Sequence, residues 1–146
     1  MELPRADFDR YWTGRITDDE DLKARWAEMI PLYDYEYDAE RSAAAVEAGS
    51  YRHEAHNWCF QHNMPGYDLK AQLPHVAAPA LVTVGRAGWV TPGSAAQTIV
   101  DLLPDARLVV FGRSGHAPQI EEYDPFQQLM RDFLPEAVPE AGAVRS

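Results

Sequence analysis

The apolar positions in the first 65 residues recur with the period of an α-helix. The first helix carries aromatic side chains on one face: Phe8, Tyr11 and Trp12. A second helix begins at the sequence TDDE, which has the pattern of a capping box with Thr17 as N-cap and Glu20 at N3. Its apolar face is formed by Leu22, Trp26, Met29 and Ile30.

The rest of this half continues the helical pattern with one irregular stretch. The second helix is predicted to end near Pro31, because proline has no amide hydrogen for a helix interior. Tyrosines alternate with acidic residues over residues 33–37, and we favour an aromatic loop or helix turn there over a short strand, since the neighbouring segments are helical. Two further helices are predicted over residues 38–47 and 51–61, and the last ends before residues 63–66.

In the second half, strand and helix patterns alternate. Residues 80–84 (ALVTV) and 108–111 (LVVF) are continuous apolar runs, typical of strands buried on both faces of a parallel sheet. A helix over residues 95–103 lies between them, which predicts a βαβ unit with a right-handed crossover. A loop over residues 112–118 and a closing helix over residues 125–134 follow.

Two strands of this kind do not form a stable parallel sheet by themselves. Each is apolar on both faces, so each needs neighbouring strands and helices to cover it. The sequence therefore predicts that the remaining strands of the sheet come from a second polypeptide.

Length and charge limit the partners and compartments that suit this chain. Its 146 residues fit one domain, and 23 acidic against 13 basic residues give a formal net charge of -10. A negative surface repels phosphate backbones, so no nucleic-acid partner is expected. No run approaches the ~18 apolar residues of a membrane span and the N-terminus has no signal-peptide core, so we expect a cytoplasmic protein without a membrane partner.

The cysteine and histidine spacings do not favour a metal site. The single cysteine, Cys59, excludes a disulfide within the chain and a cysteine-rich zinc module, and it is interpreted as a small apolar core residue. His53 and His56 are three residues apart rather than four as in the HExxH zinc motif, and beyond His62 no further ligand is evident. We expect polar histidines on a helix, with no metal and no cofactor.

Aromatic side chains are frequent in the helical half, and two interpretations of them stay open. They either pack the small helices together, which is favoured, or line a substrate pocket. Trp89 in the second half either shapes the mouth of such a pocket or packs locally. The residues in the helical half are Trp12, Trp26, Tyr33, Tyr35, Tyr37, Trp58 and Phe60.

Two motifs that follow the predicted strands carry a resemblance to a known family. Residues 85–92 read GRAGWVTP, and residues 111–122 read FGRSGHAPQIEE. In this order they resemble the C-terminal half of an α/β hydrolase, and within that superfamily the proline iminopeptidase group. The corresponding family motifs, GRxDxxxP and SGHxPxxEE, deliver the acid and the histidine of a catalytic triad. The resemblance covers residues 66–134.

The resemblance implies a fold class and a domain organisation. The fold is α/β, the C-terminal part of an α/β-hydrolase fold in which parallel strands with flanking helices are preceded by a helical cap. Residues 1–65 correspond to the cap, or lid, and residues 66–134 to the C-terminal half of the core. Residues 135–146, rich in proline, alanine and glycine, are predicted to be a flexible tail.

In this resemblance His116 falls on the position of the catalytic base. The sequence supports that role independently, because a loop after a buried strand lies at the carboxyl edge of the sheet, where open α/β folds bind ligands. The near-neutral pKa of a histidine side chain in general suits taking a serine proton and returning it to a leaving amine or alcohol. Gly115 allows a sharp turn before it. The alternative is a surface histidine in a loop.

Two departures from the family pattern limit what the chain does by itself. The position of the triad acid holds Gly88, and neutralising that acid in a serine protease costs about 10⁴ in turnover. Asp101 and Asp105 flank the far end of the predicted helix, so they are poor substitutes. An acid that follows an earlier strand, outside this chain, is an alternative that stays open. The sequence has no GxSxG nucleophile elbow and no oxyanion-hole loop before it, so it does not contain a complete hydrolase site.

The sequence therefore predicts one part of a serine hydrolase that acts on a small molecule or a short peptide-like substrate. His116 is the expected base, and a second polypeptide, carrying the N-terminal half of the core, supplies the serine and the oxyanion hole. Three alternatives stay open. They are a hydrolase-like protein that binds without hydrolysing, consistent with Gly88, a truncated product without function, and a small interaction module that folds alone.

Overall fold

The computed structural model describes the backbone of residues 5–137 and the side chains of residues 9–134. The chain divides into two compact units. The first holds the described residues up to 32 together with residues 37–68, and the second holds residues 33–36 together with the described residues from 69 onward. Within these described parts, no helix has the length and apolarity needed to cross a membrane.

The first unit consists of short helices, as the apolar periodicity predicts. Its buried apolar side chains are Ile16, Leu22, Met29 and Val46. The side chain of Phe8 lies outside the described residues. The helices are α1 (Arg5–Trp12), α2 (Asp19–Met29), α3 (Ala39–Ala48) and α4 (His53–Trp58), and a 3-10 turn at Ile30–Leu32 follows α2.

Helix α2 begins one residue later than the capping-box pattern predicts. Asp18, not Thr17, is the N-cap, and its carboxylate accepts a hydrogen bond from the amide of Asp21 at 2.8 Å. Thr17 instead donates its hydroxyl to the carboxylate of Asp21 at 3.0 Å. A carboxylate is the stronger acceptor for a helix amide, so Asp18 takes the cap and Glu20 stays exposed.

Helical structure does not stop before residues 63–66, and the predicted break there is wrong. Helix α4 passes into a π-helical turn at Cys59–Asn63 and then into a 3-10 turn at Met64–Gly66. Pro65 fits the first turn of that 3-10 segment, because the amide hydrogen that it lacks has no intrahelical partner at this position.

The second unit contains the predicted βαβ element. Strands β1 (Ala80–Gly85) and β2 (Ala106–Phe111) pair in parallel and in register along their whole lengths. Helix α5 (Gly93–Leu102) joins them and packs on both. The prediction of two parallel strands connected by a helix is confirmed.

After β2 the chain forms a loop and two helices, α6 (Pro118–Glu121) and α7 (Tyr123–Ala137). Helix α7 extends beyond the predicted closing helix at both ends. The first three residues of the predicted tail are therefore helical, and residues 138–146 lie outside the described residues.

The sheet is small and carries exposed apolar side chains. Within residues 5–137, each strand has a single neighbouring strand. Val110 in β2 is 49% exposed, although an apolar strand of a parallel sheet is normally covered on both faces. Helices α6 and α7 also expose large apolar side chains: Ile120, Tyr123 and Leu134.

Candidate active site

The loops after β1 and β2 meet at the carboxyl edge of the sheet. The amide of Ala87, in the first loop, donates a hydrogen bond to the carbonyl of Ser114, in the second, at 3.0 Å. A Cβ atom at Gly85 would overlap the carbonyl groups of Ser114 and Gly115, so the loops approach this closely only because residue 85 is glycine. His116 lies in the second of these loops, as the sequence predicts.

Two consecutive glutamates hold the loop that carries His116. Glu121 accepts a hydrogen bond from the amide of Gly115 at 2.7 Å. Glu122 accepts from the amide of Arg113 at 2.8 Å and from the hydroxyl of Ser114, which has no exposed surface, at 2.7 Å. The motif contains both glutamates, but their role in holding the loop was not predicted from the sequence. The available signal was two acids that follow a short loop rich in backbone amides.

The segment before α3 also takes part in this site. The carbonyl of Tyr33 accepts a hydrogen bond from the amide of His116 at 2.6 Å. The ring of Tyr33 packs edge to face against the imidazole of His116, with 4.9 Å between the ring centroids. The ring of Trp89 lies 6.0 Å from the ring of Tyr33, also edge to face. Burial raises the pKa of Tyr33, so its hydroxyl stays neutral at neutral pH. Two of the aromatic residues singled out in the sequence therefore lie beside or near His116.

The imidazole of His116 faces a hydroxyl where the family pattern has an acid. Nδ1 lies 3.5 Å from Oγ1 of Thr91, and among the described residues this is the one side-chain group within hydrogen-bond distance of the ring. Gly88 is buried, and a Cβ there would lie 3.1 Å from the carbonyl oxygen of Gly115. Position 88 is thus next to the histidine loop. The carboxylate of Asp101 accepts a hydrogen bond within α5 instead.

The three histidines weighed as metal ligands have separate partners. Nδ1 of His53 lies 2.7 Å from the carboxylate of Asp19. His56 packs its ring against Tyr11 at 4.4 Å, and burial lowers its pKa. His62 faces a backbone carbonyl of α4 at 3.1 Å. In the part of the chain that the structure describes, no group of three or more histidine, cysteine or acidic side chains could hold a metal ion.

Comparison with known proteins gives relatives that are hydrolases. No model of a protein family matches the sequence. The chain is 30% identical over 77 residues to a protein of Stutzerimonas stutzeri strain A1501 named carbamate hydrolase RutD, which covers 53% of this chain and 29% of that protein. It is 26% identical over 118 residues to proline iminopeptidase PfmaB of Pestalotiopsis fici, and the aligned segment covers 80% of this chain and 42% of that protein.

A solved structure shows the fold. An α/β-fold hydrolase from Bacillus anthracis matches 91% of this chain and 49% of its own chain, with a TM-score of 0.71 and 24% identity. The chain therefore has the fold of part of an α/β hydrolase, and the fold and the resemblance predicted from the motifs are confirmed. It spans less than half the length of both curated relatives and about half of that structure.

Proposed function

We propose that this chain is the histidine-bearing part of a serine hydrolase that cleaves amide or ester bonds. The observation that carries the proposal is the clamped loop after β2, which holds His116 at the carboxyl edge of two parallel strands. Open α/β folds bind their ligands at this edge. The hydrolase names of the relatives support the same class of reaction.

In the proposed reaction His116 is both base and acid. Its Nε2 takes the proton of a serine hydroxyl while the serine oxygen attacks the carbonyl carbon of the substrate. The imidazolium returns that proton to the leaving amine or alcohol, and an acyl-serine remains. Water then gives its proton to the same nitrogen, attacks the acyl-serine and releases the acid product, and the proton returns to the serine.

The serine and the oxyanion hole are proposed to lie on a second polypeptide that carries the N-terminal half of the core. The absence of GxSxG from the sequence and the 49% exposure of Val110 support such a partner. The junction is a cut through an apolar core, so it should bury about 2,000 Å² or more. The proposed substrate is a small molecule or a short peptide-like compound.

The test uses the tagged chain purified from the cells that make it, so that a bound partner stays with it. A fluorophosphonate, which reacts with activated serines, should label a copurifying polypeptide. His116→Ala should slow that labelling by about 10²–10⁴-fold, the usual contribution of a general base. The matched control is His75→Ala, an exposed histidine in the 3-10 turn Leu73–His75, which should leave labelling unchanged. Labelling that persists in His116→Ala would contradict the proposed base, and a lone monomer would contradict the partner.

Gly88 favours a second function, a hydrolase-like protein that binds its ligand without cleaving it. Without a carboxylate at that position, residue 88 supplies no opposite charge to the imidazolium that forms during acyl transfer. The two functions are separated by assaying the purified assembly with aminoacyl-anilide and ester substrates. A complex that is inactive, and that gains turnover in Gly88→Asp, would establish the second function.

A further inference from the structure

We propose that Thr91 is the positioning residue for His116, with its hydroxyl accepting a hydrogen bond from Nδ1–H where a triad enzyme has an acid. This inference rests on the proposed function of His116 as base. Its structural basis is the 3.5 Å distance between Thr91 Oγ1 and His116 Nδ1. Hydrogen bonds in catalytic sites are often this long before a substrate binds, and they tighten in the complex.

The loop after β1 holds Thr91 in place before any ligand arrives. Thr91 directly precedes Pro92, and a residue before proline is restricted to extended backbone conformations. Pro92 is in turn the N-cap of α5, which packs on both strands of the sheet. The Thr91 hydroxyl is therefore carried by a restricted backbone anchored to the same sheet as the histidine loop.

The acids closest to His116 in the sequence are engaged elsewhere. Glu121 accepts from the amides of Gly115 and Tyr35, and Glu122 accepts from an amide and a buried hydroxyl. Gly88 has no side chain. Within the described residues, the orientation of the ring thus depends on a neutral group at Nδ1 and on the edge-to-face contact with Tyr33.

A neutral acceptor performs only one of the two tasks of the triad acid. By holding the proton on Nδ1 it leaves Nε2 unprotonated, as a base toward serine requires. It brings no negative charge to the imidazolium that forms as the serine attacks. We therefore expect an enzyme whose imidazole is correctly oriented but whose turnover is slow.

The tautomer of His116 tests this proposal without any nucleophile. Long-range ¹H–¹⁵N spectra of the labelled full chain, as purified with or without its partner, should show His116 protonated on Nδ1. Thr91→Val should shift the tautomer ratio toward Nε2–H by about fivefold, the factor expected for one net hydrogen bond. Thr91→Ser keeps the hydroxyl and should restore the wild-type ratio.

Two outcomes would decide against the proposal. A wild-type ring protonated on Nε2, or a Thr91→Val spectrum identical to that of the wild type, would overturn it even if the assembly proves to be a hydrolase. Conversely, an Nδ1–H ring in an assembly without hydrolytic activity would leave the positioning role intact and remove the proposed function. In an active assembly, Thr91→Val should lower kcat with little change in KM, and Thr91→Ser should recover it.

Discussion

One carboxylate oxygen of Glu121 accepts a hydrogen bond from the amide of Gly115, the residue before His116, at 2.7 Å. Its other oxygen accepts from the amide of Tyr35 at 2.5 Å. One side chain thereby joins the histidine loop to the segment whose Tyr33 carbonyl accepts a hydrogen bond from the amide of His116. The loop that carries the imidazole is thus held to an upstream segment by a carboxylate of α6.

Removal of this carboxylate should loosen the histidine loop. Glu121→Ala leaves the amides of Gly115, Tyr35 and Ala117 without their charged acceptor, and a hydrogen bond to a charged group contributes about 1.5–3 kcal/mol. We expect the free energy of unfolding to fall by about 2 kcal/mol or more in urea titrations. Glu54→Ala, which removes an exposed glutamate of α4, is the control. An equal loss of unfolding free energy in the two variants would contradict the role of Glu121 in holding the histidine loop.

The contact between the two loops predicts an asymmetry between two glycines. Gly85→Ala introduces a Cβ that overlaps the carbonyls of Ser114 and Gly115, whereas a Cβ at Gly112 meets nothing within 4 Å. Overpacking of this kind costs about 1–3 kcal/mol. Thermal unfolding should therefore show a clear loss of stability for Gly85→Ala and almost none for Gly112→Ala. A similar melting temperature for both variants would contradict the close approach of the loops.

The half-buried ring of His56 predicts a pH dependence of stability. Burial lowers its pKa below the ordinary value of 6.5, so the unfolded chain binds this proton more readily than the folded chain. The contribution of His56 to the free energy of unfolding is complete above pH 6.5. It is lost as the pH falls from 6.5 through the pKa of His56 in the folded protein. Urea unfolding between pH 5 and 8 should show this decline, and His56→Phe should flatten it. His62→Gln, at an exposed histidine, should keep the slope.

The N-cap of α2 gives a local test of the start of this helix. Asp18→Ala removes the acceptor for the amide of Asp21 and should cost about 1 kcal/mol of stability. Glu20→Ala should be nearly neutral, because its exposed side chain does not form the reciprocal bond of a capping box. A larger loss for Glu20→Ala would restore Thr17 as the cap.

The parts of the structure that depend on local periodicity were predictable. The apolar runs of β1 and β2, the helix between them and the loop that holds His116 each follow from a few consecutive residues. The N-cap at Asp18 was not predictable, because Thr17 and Asp18 are both good N-cap residues and only the geometry at Asp21 distinguishes them. The π-helical turn at Cys59–Asn63 has no signal in the apolar pattern.

The polar contacts around His116 could not be predicted from the sequence, for a different reason. Glu121 and Tyr35 are 86 positions apart, and no periodicity relates a loop in the helical half to a glutamate of α6. Thr91 stands three residues after Gly88, at a position to which the family motif GRxDxxxP assigns no particular residue. The motif predicts which residue is the base, whereas the contacts of that residue depend on how distant segments meet.

The assignment of residues 33–36 to the same compact unit as β1 and β2 limits how this protein can be shortened. A cut at residue 66, between the helices and the first strand, separates His116 from the carbonyl that receives its amide hydrogen. Gly115 would then face solvent where it now touches the backbone of Tyr33. Any minimal fragment meant to present this imidazole must retain a stretch of chain from more than thirty residues upstream.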